Sequence, residues 1–141
     1  MHNRKQRALA DELAELPSLR SCGKDDVRAL ADAGREVTLP DGWAFVQEGT
    51  PADAAYILLD GEAKVLAGRD VIAMLSPGAI LGEMAYVEGG QRKATVASSG
   101  RVRALRLDYD KLAEILEKRP ALKEMLRATD RQHRGGGKQT D

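Results

Sequence analysis

Hydrophobic positions change their period twice along this chain. Between Arg4 and Leu16 the leucines Leu9, Leu13 and Leu16 recur at helical spacing among alanines and charges, and Pro17 stops the run. A second amphipathic helix is expected over 24–34, with Asp25 and Asp26 favouring its start, Val27, Leu30 and Ala31 as its apolar stripe and Gly34 at its end. After Arg35 the runs become short, β-branched or alternating: Glu36–Leu39, Ala44–Gln47, Ala55–Leu59, Ala63–Ala67, Val71–Leu75, Lys93–Ser98 and Val102–Leu107. Gly, Pro and Asp separate them, and Asp60-Gly61 between two apolar runs is the sharpest hairpin signal among the separators. Helical spacing returns at Asp108, a suitable N-cap, with Leu112, Ile115 and Leu116 facing inward. Pro120 then opens a further helix striped by Leu122, Met125, Leu126 and Thr129, and Gly135-Gly136-Gly137 ends ordered structure.

This order predicts an α+β fold. A β-roll or jelly-roll sandwich of about eight short strands occupies 36–107, with N-terminal helices at 4–16 and 24–34 and C-terminal helices at 108–118 and 120–134. One domain covers 1–134, and 135–141 is a flexible tail.

Composition narrows the function classes. At 141 residues, 43% hydrophobic and 31% charged, the chain is an ordinary globular domain, large enough to fold without a staple. Its 22 basic and 22 acidic residues cancel, whereas a nucleic-acid binder usually carries a basic excess. The single cysteine, Cys22, excludes an internal disulfide and fits a reducing, cytoplasmic compartment. Neither a membrane-spanning run nor a signal peptide is expected. The two histidines, His2 and His133, lie near the ends, so no metal cluster and no Ser/His or Cys/His pair is expected, and the chain is not read as an enzyme.

The candidate chemistry sits in Ser76-Pro77-Gly78-Ala79-Ile80-Leu81-Gly82-Glu83-Met84-Ala85 and, after a short loop, Gln91-Arg92-Lys93-Ala94-Thr95-Val96. Gly82 lets the backbone approach a ligand without a Cβ in the way, and the N–H groups after it can point at negative charge. Arg92 supplies a fixed fork of donors suited to phosphate. Glu83 is an acceptor for a hydroxyl. A carboxylate and a guanidinium on one ligand suggest a sugar phosphate. Gly61 and Gly78 are read as turn glycines only.

The order Gly78-x-x-x-Gly82-Glu83-x-Ala85, then Arg92-x-Ala94-Thr95, resembles the phosphate-binding cassette of the cyclic nucleotide-binding domains. Upstream, Gly42, Glu48-Gly49 and Tyr56-x-x-x-x-Gly61 are similar to the family's other turn glycines, and the resemblance covers roughly 17–132. It implies that Arg92 and the N–H groups of Met84, Ala85, Lys93 and Ala94 hold a cyclic phosphate, that Glu83 accepts the ribose hydroxyl, and that Val65, Ile72 and Leu81 pack on the base. The ligand it implies is cyclic AMP, with no other cofactor: cyclic GMP-preferring relatives tend to carry Thr where this chain has Lys93. Ligand binding would reposition the C-terminal helices and inform an effector protein. The DNA-reading domain of the dimeric activators and most of their long final helix are expected to be missing, since the glycine run falls soon after Arg134, and the oligomeric state stays open. The alternative is a β-roll interaction module that binds no nucleotide, uses Arg92 and Glu83 as an internal ion pair and docks to another protein through its terminal helices.

Overall fold

A computed structural model describes residues 4–46, 53–81 and 95–126. The N-terminal layer is helix α1 (Arg4–Glu15), a 3-10 turn (Pro17–Leu19) and helix α2 (Lys24–Ala33). Strands β1 (Arg35–Leu39), β2 (Ala44–Val46), β3 (Ala54–Ala67), β4 (Asp70–Leu75), β5 (Ile80–Leu81) and β6 (Thr95–Asp108) follow. Helix α3 (Tyr109–Lys118) and a last helical stretch, α4, at 120–126 complete the described chain.

All six described strands belong to one antiparallel sheet, in the order β1-β6-β3-β4 with β2 also on β6 and β5 also on β3. The two long strands make it a roll. The first half of β3 pairs with β5 and with the second half of β6, which also holds β1. The second half of β3 pairs with β4 and with the first half of β6, which also holds β2. The β3/β6 ribbon therefore serves both halves, and it changes register between Leu58 and Asp60 and again between Asp60 and Glu62.

Here the hairpin expected at Asp60-Gly61 is corrected. Gly61 has φ +91°, as a turn glycine would, but the strand runs on through it, and a Cβ there would stand 2.7 Å from the Arg101 carbonyl oxygen. The dipeptide marks a bulge where the ribbon bends, with Gly100 (φ +81°) at the facing irregularity of β6. The runs Ala55–Leu59 and Ala63–Ala67 are accordingly one strand, and the pattern at Val102–Leu107 continues the strand that begins at Thr95.

Alternation along β3 sorts the core into two. Ala55, Ile57 and Leu59 face the helices, where they join Leu13, Leu30, Leu105, Leu112, Leu116 and Leu122. Ala54, Tyr56 and Leu58 face the inside of the roll with Phe45, Ala63, Leu81, Val96 and Ala104. This stretch is buried on both faces, which is why its sequence reads as a continuous apolar run.

Two expected helix signals act differently from the reading. Asp108 precedes α3 but makes no side-chain cap; its carboxylate accepts a bond from Arg106 Nε at 3.2 Å. Gly34 does end α2, yet its backbone is extended rather than left-handed. Glycine is required there by space, since a Cβ would meet the Leu105 side chain at 2.6 Å.

Candidate functional site

The approach to the glycine-rich stretch is anchored from two sides. Gly78 takes φ +98°, its N–H donates to the Leu58 carbonyl at 2.8 Å, and Leu58 N–H returns a bond to the Ala79 carbonyl at 2.9 Å. On the other side Ser18 Oγ donates to the Gly78 carbonyl at 2.6 Å, and Pro17 Cδ lies 3.1 Å from where a Gly78 Cβ would stand. The turn that launches the stretch is thus pinned between β3 and the 3-10 turn. Glycine at 78 was legible in the sequence; Ser18, 60 residues away, carried no signal.

From this turn β5 runs one step along β3, Ile80 opposite Ile57 and Leu81 opposite Tyr56. The pleat sends the two side chains to different cores. Ile80 packs among the helices, and Leu81, 2% exposed, closes the inside of the roll. Beyond it, Gly82, Glu83, Met84, Ala85, Arg92, Lys93 and Ala94 lie outside the described residues. The chain resumes at Thr95, which pairs with Leu66 at the far end of β3.

Of the three residues expected on the base, two come together. Val65 is half-buried against the inner core that holds Leu81. Ile72 is 40% exposed and belongs to neither core, because the β3/β4 register skips it between the pairs Val65–Ala73 and Leu66–Val71. The same register names residues that the sequence reading missed. Val96 and Ala73 both stand opposite Val65, one on either side, so the three form an inward row that ends at the exposed Ala73 on the edge strand. No local pattern could have revealed it, since it depends on pairings across three strands.

Fixed charge lines the rim nearest β5. Arg106, opposite Tyr56 in the ladder, donates from Nη1 to the Tyr56 hydroxyl at 2.7 Å and lies 3.7 Å from Asp53, besides its bond to Asp108. Its guanidinium carbon stands 5.7 Å from the centroid of the Tyr56 ring, which packs edge-to-face with Phe45 at a centroid separation of 5.2 Å. Burial disfavours the charge on Arg106, but Tyr56, Asp108 and Asp53 outweigh it and raise the pKa. The turn that joins β1 to β2 is also tightly held. Ser98, fully buried, donates to the Pro40 carbonyl at 2.5 Å and accepts from Trp43 N–H at 2.8 Å, while Asp41 accepts from Gly100 N–H at 2.7 Å.

Between the helices and the sheet lies a small gap of about 10 Å³, lined by apolar residues including Leu30, Ile80, Leu112, Leu122 and Leu126. It has no polar group to hold a nucleotide. Among the described residues no group of three metal-ligating side chains occurs, and no helix is long and apolar enough to cross a membrane.

Residues 36–119 match the family described as the cyclic nucleotide-binding domain. The chain is similar to the cAMP-dependent protein kinase regulatory subunit of Dictyostelium discoideum, 34% identical over 113 residues that take in 74% of this chain and 35% of the relative. It is also similar to a cyclic nucleotide-gated potassium channel of Mesorhizobium japonicum, 29% identical over 123 residues, 87% of this chain and 34% of the channel. It spans about a third of the length of these curated relatives. Among solved structures it superposes on a PKAR domain bound to Sp-2Cl-cAMPS with a TM-score of 0.82 at 22% identity, covering 94% of this chain and 89% of that one. The regulatory domain of Toxoplasma gondii PKA with cAMP gives 0.78 at 18% identity, covering 94% and 51%. Likeness at this level of identity establishes the β-roll with its flanking helices.

Proposed function

The chain belongs to the cyclic nucleotide-binding domain family, and on that premise we propose that it is a sensor whose ligand is cyclic AMP. The observation that carries this reading is where the family match falls. It runs through Gly82-Glu83-Met84-Ala85 and Arg92-Lys93-Ala94, the stretch whose chemistry suits a sugar phosphate.

In this reading Arg92 and the N–H groups of Met84, Ala85, Lys93 and Ala94 hold the cyclic phosphate, and Glu83 accepts the ribose hydroxyl. Hydrogen bonds to charged groups contribute about 1.5–3 kcal/mol each. Val65 and Leu81 approach the base from the inside of the roll, with Ile72 on the edge strand beside them. The solved relatives named above hold cyclic AMP or its analogue, which supports the choice of ligand. Lys93, in place of a Thr hydroxyl that could reach guanine, favours adenine. Binding shifts α3 and the helix after it, and the domain works as a cytoplasmic regulator of an effector rather than as a catalyst. A ligand moves such an equilibrium only by its differential affinity for the two states.

A ranked shift in melting temperature tests this reading. Ligand at a hundredfold excess over Kd stabilises the folded state by about 2.7 kcal/mol, and each kcal/mol raises the midpoint by roughly 2–6 °C for a domain of this size. Cyclic AMP should therefore give at least about 5 °C, cyclic GMP less, and linear 5′-AMP least. No shift with any of them at millimolar concentration would favour a β-roll interaction module instead. The exposed Val71, Ile72 and Met74 on β4 would add an apolar face to the terminal helices through which such a module docks.

A further inference from the structure

One residue separates α3 from α4, and it is held from outside both helices. Arg119 has φ −132° and ψ 87°, off the helical region, as expected for the residue before a proline. Its carbonyl accepts from Leu122 N–H at 3.1 Å and Lys123 N–H at 3.4 Å, so the first turn of α4 hangs from it. Its side chain reaches back to α2, where Nη1 donates to Asp26 Oδ1 at 3.0 Å across 93 residues of sequence. Asp26 lies in the first turn of α2, where the helix dipole favours a carboxylate, and its side chain is only 17% exposed. Both partners are therefore fixed.

Directly inside this corner is the small apolar gap, bounded by Leu30 of α2, Leu116 of α3, Leu122 and Leu126 of α4 and Ile80 of β5. Ile80 stands two residues before Gly82. α4 and Ile80 border the same small gap, so a change in the seat of α4 reaches the base of the glycine-rich stretch through Ile80. The Arg119–Asp26 contact ties the elbow to the N-terminal layer and resists that change.

We infer that the Arg119–Asp26 pair is a clasp that sets the angle of the α3/α4 elbow, and that it regulates nucleotide affinity by keeping α4 seated against Ile80. The regulatory half of this inference rests on the cyclic nucleotide reading above. The clasp itself does not.

Hydrogen exchange on the full chain without nucleotide tests the clasp. In Asp26→Asn and Arg119→Gln, amides of Leu122–Leu126 should exchange about two- to fivefold faster, the range set by a partly exposed ion pair. Amides of Val102–Leu107 should be unchanged, and Arg119→Lys, which keeps the charge, should restore most of the protection. Unchanged exchange in α4, or equal acceleration in β6, would show that the pair is not a clasp. Calorimetry with cyclic AMP then reads the regulatory half. Both variants should bind more tightly by the same factor, because the pair holds α4 against the shift that binding brings, and parental affinity together with a loosened α4 would overturn it. Should the parent chain itself give no heat with cyclic AMP, the nucleotide reading and the regulatory half fall together, while the exchange data still decide the clasp.

Discussion

Arg103 on β6 holds Glu12 on α1 with two parallel bonds of 2.9 Å, and its Nε donates to Glu36 on β1 at 3.1 Å. Three elements meet on one guanidinium. The bond to Glu12, followed by that to Glu36, raises the arginine's pKa further, so the clamp keeps its positive charge throughout the accessible pH range. It fixes the N-terminal layer, and with it the 3-10 turn whose Ser18 steadies the Gly78 turn.

Loss of this clamp should show as coupling rather than as collapse. Both side chains remain about a third exposed, so solvent screens the attraction. Arg103→Ala should destabilise the fold by about 1–2 kcal/mol, and a double-mutant cycle with Glu12→Ala in urea should give a coupling of about 1 kcal/mol. Strictly additive losses would mean the geometry contributes nothing.

Gly61→Ala should be far more damaging than an ordinary glycine-to-alanine change within a strand, because Gly61 sits at the bulge where β3 bends. The new methyl meets the Arg101 carbonyl oxygen at 2.7 Å and Val102 Cγ1 at 2.8 Å, in backbone with φ +91°. A loss of about 2–4 kcal/mol is expected from strain and displaced ladder bonds. Gly68→Ala provides the comparison, since a Cβ at Gly68 finds nothing within 4 Å and its φ of +62° is the milder left-handed region. Equal losses for the two would show that the bend at Gly61 is not tight.

Arg92→Ala should weaken cyclic AMP binding at least tenfold while leaving the melting temperature of the free domain within a few degrees. A lost hydrogen bond to a charged group costs about 1.5–3 kcal/mol, which is roughly one to two decades of affinity. Calorimetry measures the first quantity and circular dichroism the second. Unfolding of the variant would assign Arg92 to the internal ion pair of the interaction-module reading.

The 2′-deoxy analogue of cyclic AMP isolates Glu83. If the carboxylate accepts the ribose hydroxyl, removing that hydroxyl leaves a desolvated acceptor without a partner and should cost at least fivefold in Kd. Equal affinities would take Glu83 out of the site.

What the sequence made legible follows from how local each determinant is. Helix α1, helix α2 and the Pro120 start of α4 were readable because leucine spacing and proline act within one turn. The β-roll was readable as a class from its short runs and turn residues. Asp60-Gly61 was misread because a glycine with positive φ looks the same in a hairpin and in a bulge; only the carbonyl of Arg101 behind it tells them apart. Gly34 answers to Leu105, and Asp108 to Arg106, for the same reason. Leu81 and Val65 pack in the inner core because apolar strand residues face inward by default. The inward row of Val96, Val65 and Ala73 exists only through register.

The shared ribbon has a consequence for how the protein is made. Strands β1, β2 and β3 all hydrogen-bond to β6, the last strand in the described chain, and β4 and β5 are attached only through β3. During synthesis the ribosome therefore releases five strands before the one that joins them, and β1 must wait for a partner that begins at Val102. Until β6 begins to clear the exit tunnel at Thr95, the described pairings open to the nascent chain are those of β3 with β4 and β5, with the apolar inner side of β3 still uncovered. This protein should need its chaperones during translation far more than after it, and a ribosome stalled before Thr95 should expose an aggregation-prone segment that the finished domain never shows.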